Sequence, residues 1–290
     1  MNPMATPEQT QTQVCYRHPR NETAVSCSNC GRPICTDCMV FSAVGIKCPE
    51  CAGQPTGPKR AATRVRAAAS EGTGFSVTNA LIVTNIAVYL VQASGGGTFT
   101  NPAGEIFQKG YLRAYEVGAG EWWRLITYGF LHGSPIHILF NMLMLWWFGR
   151  ALEALLGRGR FLAVYFLSIL AGAAGALLLS PTNPTIGASG AVFGILGAGL
   201  VLERNRINVF GGSALFVVIF NLAFSFTVSY ISIGSHIGGL IGGALTVLVL
   251  SRFGKGHAVY GRFDLASAAG LLAIGVVSVA IAYLRVRGYA

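Results

Sequence analysis

The segment Thr185-Ile-Gly-Ala-Ser-Gly-Ala-Val-Phe-Gly sets Ser189 between glycines at the entrance of an apolar run. A serine hydroxyl is a poor nucleophile at neutral pH until a base takes its proton, and neutral imidazole suits that task best. His236 opens another apolar run and is the candidate base. His137 and Asn141 stand at i, i+4 in a third, so they project from one helix face. A developing oxyanion needs donors aimed at it in a site of low dielectric. Backbone N–H groups at a helix start lack intrahelical partners, and Ser189 lies where such groups occur. His137 and Asn141 can add side-chain donors, while Gly187 and Gly190 let backbone approach backbone. Taken singly, serine in a glycine-rich helix is a packing residue and asparagine is interhelical glue. Their common depth is what points to chemistry.

These residues must be held by membrane helices. The chain is 52% hydrophobic and 11% charged, against about 25% charged in an average soluble domain. Spans need about 20 apolar residues, and seven runs qualify as candidates: Phe75–Ala93, Ile136–Gly149, Phe161–Leu179, Ser189–Leu202, Ala214–Ile233, His236–Leu250 and Leu265–Leu284. Counted from a cytoplasmic N-terminus, the second, fourth and sixth start at the outer face, where Asn141, His137, Ser189 and His236 gather. Those three runs are shorter than a full span, which implies a recess open to water from outside.

The net charge of +10 first suggests nucleic acid, but its placement follows the membrane instead. Lys59, Arg60, Arg64, Arg66, Arg150, Arg158, Arg160, Arg204, Arg206, Arg252, Lys255 and Arg262 fall on inner segments. They outnumber Lys109, Arg113, Arg124, Arg285 and Arg287 on outer ones, as the positive-inside rule requires. No nucleic-acid partner is expected. The acid of a catalytic triad is also missing. Glu153 and Asp264 read as cytoplasmic, and Glu203 lies about 21 Å along its helix from Ser189 at the standard rise. Glu105, Glu116 and Glu121 belong to the long first outer loop, so the economical reading is a Ser–His dyad oriented by packing.

The seven cysteines all precede the apolar runs. With His18 they form four pairs at C-x2-C or C-x2-H spacing: Cys15/His18, Cys27/Cys30, Cys35/Cys38 and Cys48/Cys51. Such turns present two soft ligands to one tetrahedral ion, and eight ligands fill two structural Zn²⁺ sites. The odd count and a reducing location oppose a disulfide framework. The chain therefore divides into a disordered tail (1–14), a zinc finger (15–51), a basic flexible linker (52–74), a helical bundle (75–251) and an additional seventh helix (263–286).

The head resembles B-box and RING-like fingers, which implies that the first and third pairs share one ion and the second and fourth share the other. From about Thr73 to Leu250 the chain resembles the rhomboid intramembrane serine proteases. The resemblance rests on Trp123-Arg124, on His132-x4-His137-x3-Asn141, on Gly187-Ala-Ser189-Gly190, and on His236 followed by Gly239-x3-Gly243. It implies an all-α polytopic fold of six membrane helices, Ser189 as nucleophile, His236 as base, and an oxyanion hole from His137, Asn141 and the Ser189 amide. It further implies that Gly239 and Gly243 seat the sixth helix on the fourth, and that Phe193 stacks on the catalytic histidine. His132 becomes a structural loop residue, and the loop holding Trp123 and Arg124 braces the site. The expected activity is cleavage of transmembrane protein substrates near the outer face of a bacterial cell membrane, with no cofactor for catalysis. The expected partners are those substrates, the lipid bilayer, and a cytoplasmic protein bound by the zinc head. The alternative is a non-proteolytic rhomboid-like binder or chaperone.

Overall fold

A computed structural model describes residues 13–42, 45–52, 76–95, 103–205, 207, 209–210, 213–227, 231–251 and 264–289. The expected tail up to residue 12, the linker beyond Ala52, and Arg206, Arg252, Lys255 and Arg262 lie outside them. Two compact units divide the chain, Met1–Gly74 and Phe75–Ala290.

In the first unit, β1 (Gln13–Val14) pairs antiparallel with β2 (Glu22–Thr23), and β3 (Val40–Ser42) with β4 (Gly45–Lys47). Chains this short bury too little apolar surface to hold themselves together without a metal or crosslinks. The centre accordingly consists of cysteines around Ile34, with Cys15, Cys27, Cys35, Cys38 and Cys48 all buried.

The second unit is helical. Its elements are α1 (Val77–Ser94), three short helices α2 (Gly104–Gly110), α3 (Ala114–Gly118) and α4 (Arg124–Thr127), then α5 (Pro135–Met144) and α6 (Arg150–Leu156). The long helices α7 (Arg158–Leu179), α8 (Ser189–Arg204), α9 (Ala214–Thr227), α10 (Ile233–Leu250) and α11 (Leu265–Val286) follow. Among the described residues five helical segments, namely α1, α5 with α6, α7, α10 and α11, are long and apolar enough to cross a membrane. Exposed Leu139, Phe140, Trp147, Phe216, Phe220 and Leu272 are what a lipid-facing surface requires, because hydrocarbon carries no penalty for them.

Two expectations from the runs change. The second run is not short: α5 widens into a π turn at Leu145–Gly149 and continues as α6 to Leu156, so Arg150 begins a helical segment instead of flanking one. Ile233 starts α10 and does not end α9, because the Ser232 hydroxyl accepts the Ser235 N–H and fixes the start there, so the sixth run too reaches spanning length, 18 residues. Serine also caps α1 and α5, through Ser76 and Ser134, with Pro135 supplying the fixed φ that a first turn favours.

Glu153, read from sequence as a cytoplasmic acid, is buried and serves α1. Its carboxylate accepts the Val77 and Thr78 N–H groups at 2.8 Å each, the Ser76 hydroxyl at 2.9 Å and the Thr78 hydroxyl at 2.6 Å. Four donors around one anion at a helix N-terminus satisfy both the orphan N–H groups and the dipole. Glu203 does the same more simply for α9, accepting the Ala214 N–H at 2.6 Å.

At the far end of α11, Tyr289 meets Tyr115 edge-on at 5.2 Å, and Tyr283 lies 6.1 Å from Trp122. The C-terminal end of α11 therefore lies beside the first long loop.

Candidate active site

The loop between α1 and α5 is tied from three sides. Arg124 is 3% exposed, and its guanidinium donates to the Tyr111 carbonyl at 2.7 Å, the Gln108 carbonyl at 2.8 Å and the Glu121 carboxylate at 2.8 Å. Trp123 lies half exposed with its indole N–H on the Lys109 carbonyl. Leu112 exchanges backbone hydrogen bonds with Thr185 at 3.0 and 2.9 Å, and the Gly187 N–H donates to the Tyr128 carbonyl at 2.9 Å. Arg124 and Trp123 thus do not reach the serine themselves; they fix the loop to which the Ser189 turn is bonded.

That turn needs glycine at position 187, where φ is +120° and a Cβ would lie 2.7 Å from His137 Nε2. Ser189 begins α8 directly after it. Gly190 leaves room for Ser235 and Tyr128, whose hydroxyls would lie 2.9 and 3.3 Å from an added Cβ. Farther along, Gly239 of α10 abuts the Gly190 carbonyl, and Gly243 abuts that of Gly194. Helices approach this closely only where both faces lack side chains.

The outcome is a direct contact: His236 Nε2 lies 2.8 Å from Ser189 Oγ. Phe193, one turn beyond Ser189, stacks on the His236 ring at 4.1 Å between centroids and 18° between planes. His137 is also oriented. Its Nδ1 accepts the Gly133 N–H at 3.3 Å, so in a neutral ring Nε2 carries the hydrogen and faces Gly187 as a donor. Asn141 follows one turn later, buried, with one amide hydrogen on the His137 carbonyl at 2.9 Å. The N-terminal ends of α5, α8 and α10 therefore meet at one level.

His132 stays out of this pair. It is fully buried, and its backbone is held by Gln92 of α1, which donates to its carbonyl at 2.7 Å and accepts its N–H at 3.3 Å. Its ring lies 5.1 Å from that of His137. Gln92 was invisible as a motif; a lone amide at the end of an apolar run was its only signal.

In the head, the ligand atoms form two groups, Cys15/His18/Cys35/Cys38 and Cys27/Cys30/Cys48/Cys51, each with all ligand atoms within 4.8 Å of one another. This is the interleaved pairing. His18 Nδ1 lies 3.2 Å from Cys35 Sγ and 3.4 Å from Cys38 Sγ. Burial and the neighbouring thiols Cys15 and Cys35 push the Cys38 thiol up to about 12. Burial also opposes ionisation of Cys27, yet the N–H groups of Cys48, Asn29 and Cys30 outweigh it and bring that thiol down to about 6. Crowded sulfurs resist joint ionisation until a cation sits among them, so both groups suit a metal ion.

Helices of this length and apolarity, closing around a partly buried serine–histidine contact, define a polytopic membrane protein with the functional groups of a serine hydrolase. Residues 119–253 match the family described as Rhomboid domain. The chain is 38% identical over 176 residues to Rhomboid protease GluP of Bacillus subtilis, covering 58% of this chain and 34% of that one. It is 40% identical over 141 residues to Putative rhomboid protease YdcA of Bacillus subtilis, covering 46% of this chain and 71% of that one. Rhomboid protease GlpG of Yersinia enterocolitica is 33% identical over 129 residues, covering 42% of this chain and 46% of that one. The chain belongs to the rhomboid family. The match spans about a third of GluP and just under half of GlpG.

Proposed function

We propose that the protein is a serine-type intramembrane endopeptidase that cleaves transmembrane segments of other membrane proteins. The observation that carries this reading is the 2.8 Å contact between His236 Nε2 and Ser189 Oγ inside the bundle. In the proposed reaction Ser189 Oγ bonds to the scissile carbonyl carbon while its proton passes to His236 Nε2. The carbonyl oxygen becomes an oxyanion that accepts hydrogen bonds from the Ser189 N–H, His137 Nε2–H and the second amide hydrogen of Asn141. Collapse breaks the C–N bond, and the His236 proton goes to the leaving amine. Water, deprotonated by His236, then releases the acid product and regenerates Ser189. Such donors are worth about 10²–10³-fold each in rate.

The substrate helix has to unwind locally to expose its carbonyl, so Gly, Ser or Pro near the cut favours cleavage. The excess of Arg and Lys on one set of segments supports a cytoplasmic N-terminus and a site opening toward the outer face of a cell membrane. For the head we propose two structural Zn²⁺ ions and a cytoplasmic protein partner. With four protein ligands each, the ions organise the fold and leave no open position for catalysis.

Labelling of the solubilised full-length chain with a fluorophosphonate tests the dyad. In that step Ser189 Oγ bonds to phosphorus, fluoride leaves and the proton goes to His236. Labelling is expected in the wild type and not in Ser189→Ala or His236→Ala. Equal labelling of all three would overturn the proposal.

A further inference from the structure

The second nitrogen of His236 is also engaged. Its Nδ1 lies 2.7 Å from the hydroxyl of Ser225, a buried residue in the last turn of α9. Ser225 Oγ in turn donates to the Asn221 carbonyl at 2.8 Å. A carbonyl accepts and never donates, so the single hydroxyl hydrogen of Ser225 is spent on Asn221. Toward His236 the hydroxyl can then only accept. Nδ1 must carry the ring hydrogen, and Nε2 is left bare, facing Ser189.

We propose that Ser225 is a positioning residue: anchored on Asn221, it holds His236 in the tautomer that leaves Nε2 free to take the Ser189 proton. The proposal rests on the protease reading above, but its geometry is separate from it. Serine here fills the place that an acid occupies in a triad, orienting the imidazole without adding charge. A carboxylate in this apolar setting would be expensive to bury, whereas a hydroxyl already satisfied by its own helix costs little. Because Ser225 belongs to α9 and His236 to α10, the bond also makes the tautomer depend on the seating of α9. Phe193 fixes the plane of the ring by stacking, but stacking cannot choose between the two nitrogens.

The test is ¹⁵N NMR of histidine-labelled full-length protein in nanodiscs, with the His236 signals assigned by their loss in His236→Ala. Protonated and bare ring nitrogens resonate far apart. The wild type is expected to show Nδ1 protonated and Nε2 bare. Ser225→Ala is expected to mix in the Nε2–H form and to slow fluorophosphonate labelling about 10–100-fold. Ser225→Thr keeps the hydroxyl and should restore both readouts. Ser225→Val, matched to threonine in shape, should restore neither, which separates the hydrogen bond from packing. A His236 that stays Nδ1-protonated in both the Ala and Val variants would overturn the proposal. Failure of the wild type to label, with the tautomer still dependent on Ser225, would count against the protease reading alone.

Discussion

Gly239 on α10 faces the Gly190 carbonyl on α8 so closely that a methyl group at position 239 would sit 2.7 Å from the carbonyl carbon. His236 and Ser189 stand one turn and one residue away from this contact, so the spacing of the two backbones sets the spacing of the reacting groups. Gly239→Ala is therefore expected to force the helices apart, at about 1–3 kcal/mol of overpacking. It should lower turnover by about 10²-fold, the usual consequence of displacing reacting groups by an ångström. Turnover of a transmembrane reporter, with thermal unfolding as the control, checks it. Wild-type turnover would mean that the helix contact does not govern the pair.

Glu153→Ala removes an anion from four donors at the start of α1. Hydrogen bonds to charged groups contribute about 1.5–3 kcal/mol each when one partner is lost, so the variant should lose at least about 2 kcal/mol. Glu153→Gln keeps an acceptor but not the charge and should fall between. Thermal unfolding in one detergent orders the three proteins, and equal midpoints would refute the capping role.

How much of this was legible in the sequence differs from residue to residue. Ser189 and His236 could be read as candidates because each opens an apolar run at a common depth, and Gly187 because it flanks the serine; Gly239 and Gly243 gained a role only through the rhomboid resemblance. The helices too were legible, since apolar length is a local property. Ser225, Gln92 and Glu153 were not, because each acts on a residue of another element, which its own local pattern does not reveal. Their partners are His236, His132 and the first turn of α1. A serine in an apolar run is most simply a residue bonded to its own helix, and only the second bond of Ser225 distinguishes it. The continuation of α5 through a π turn was hidden for another reason: Gly149 and Arg150 imitate the end of a span, but tertiary packing carries the helix past them.

The first long loop carries its own pH dependence. Glu116 is held down to about 2, chiefly by hydrogen bonds from Arg113, whose Nε lies 3.0 Å from one carboxylate oxygen, with the Tyr111 hydroxyl adding another. A carboxylate depressed in the folded state stabilises it above the unfolded value, near 4.5, and loses that contribution as pH falls toward 2. Wild-type protein should thus lose more stability between pH 5 and about 2.5 than Glu116→Gln does. Parallel acid titrations of thermal midpoint would show this, and superimposable curves would rule it out.

Metal content gives the sharpest prediction for the head, because the two ligand groups are separate in space yet interleaved in sequence. Each group takes its ligands from two distant pairs, 15/18 with 35/38 and 27/30 with 48/51, so removing one ligand should cost one ion and not two. Full-length protein should carry two zinc ions, His18→Ala about one, and the His18→Ala/Cys48→Ser double variant none. Sequential pairing predicts the same contents for these variants and departs only for a different pair of changes. Were 15/18 joined with 27/30, the single variant Cys35→Ser would leave the same ion in place that His18→Ala removes, and combining those two changes would strip both ions. With interleaving, His18→Ala and Cys35→Ser strike one site, and their double variant should still hold one zinc. Metal analysis of that double variant therefore decides between the pairings by a whole ion per chain. A wild-type content clearly below two would dismiss the two-site proposal itself.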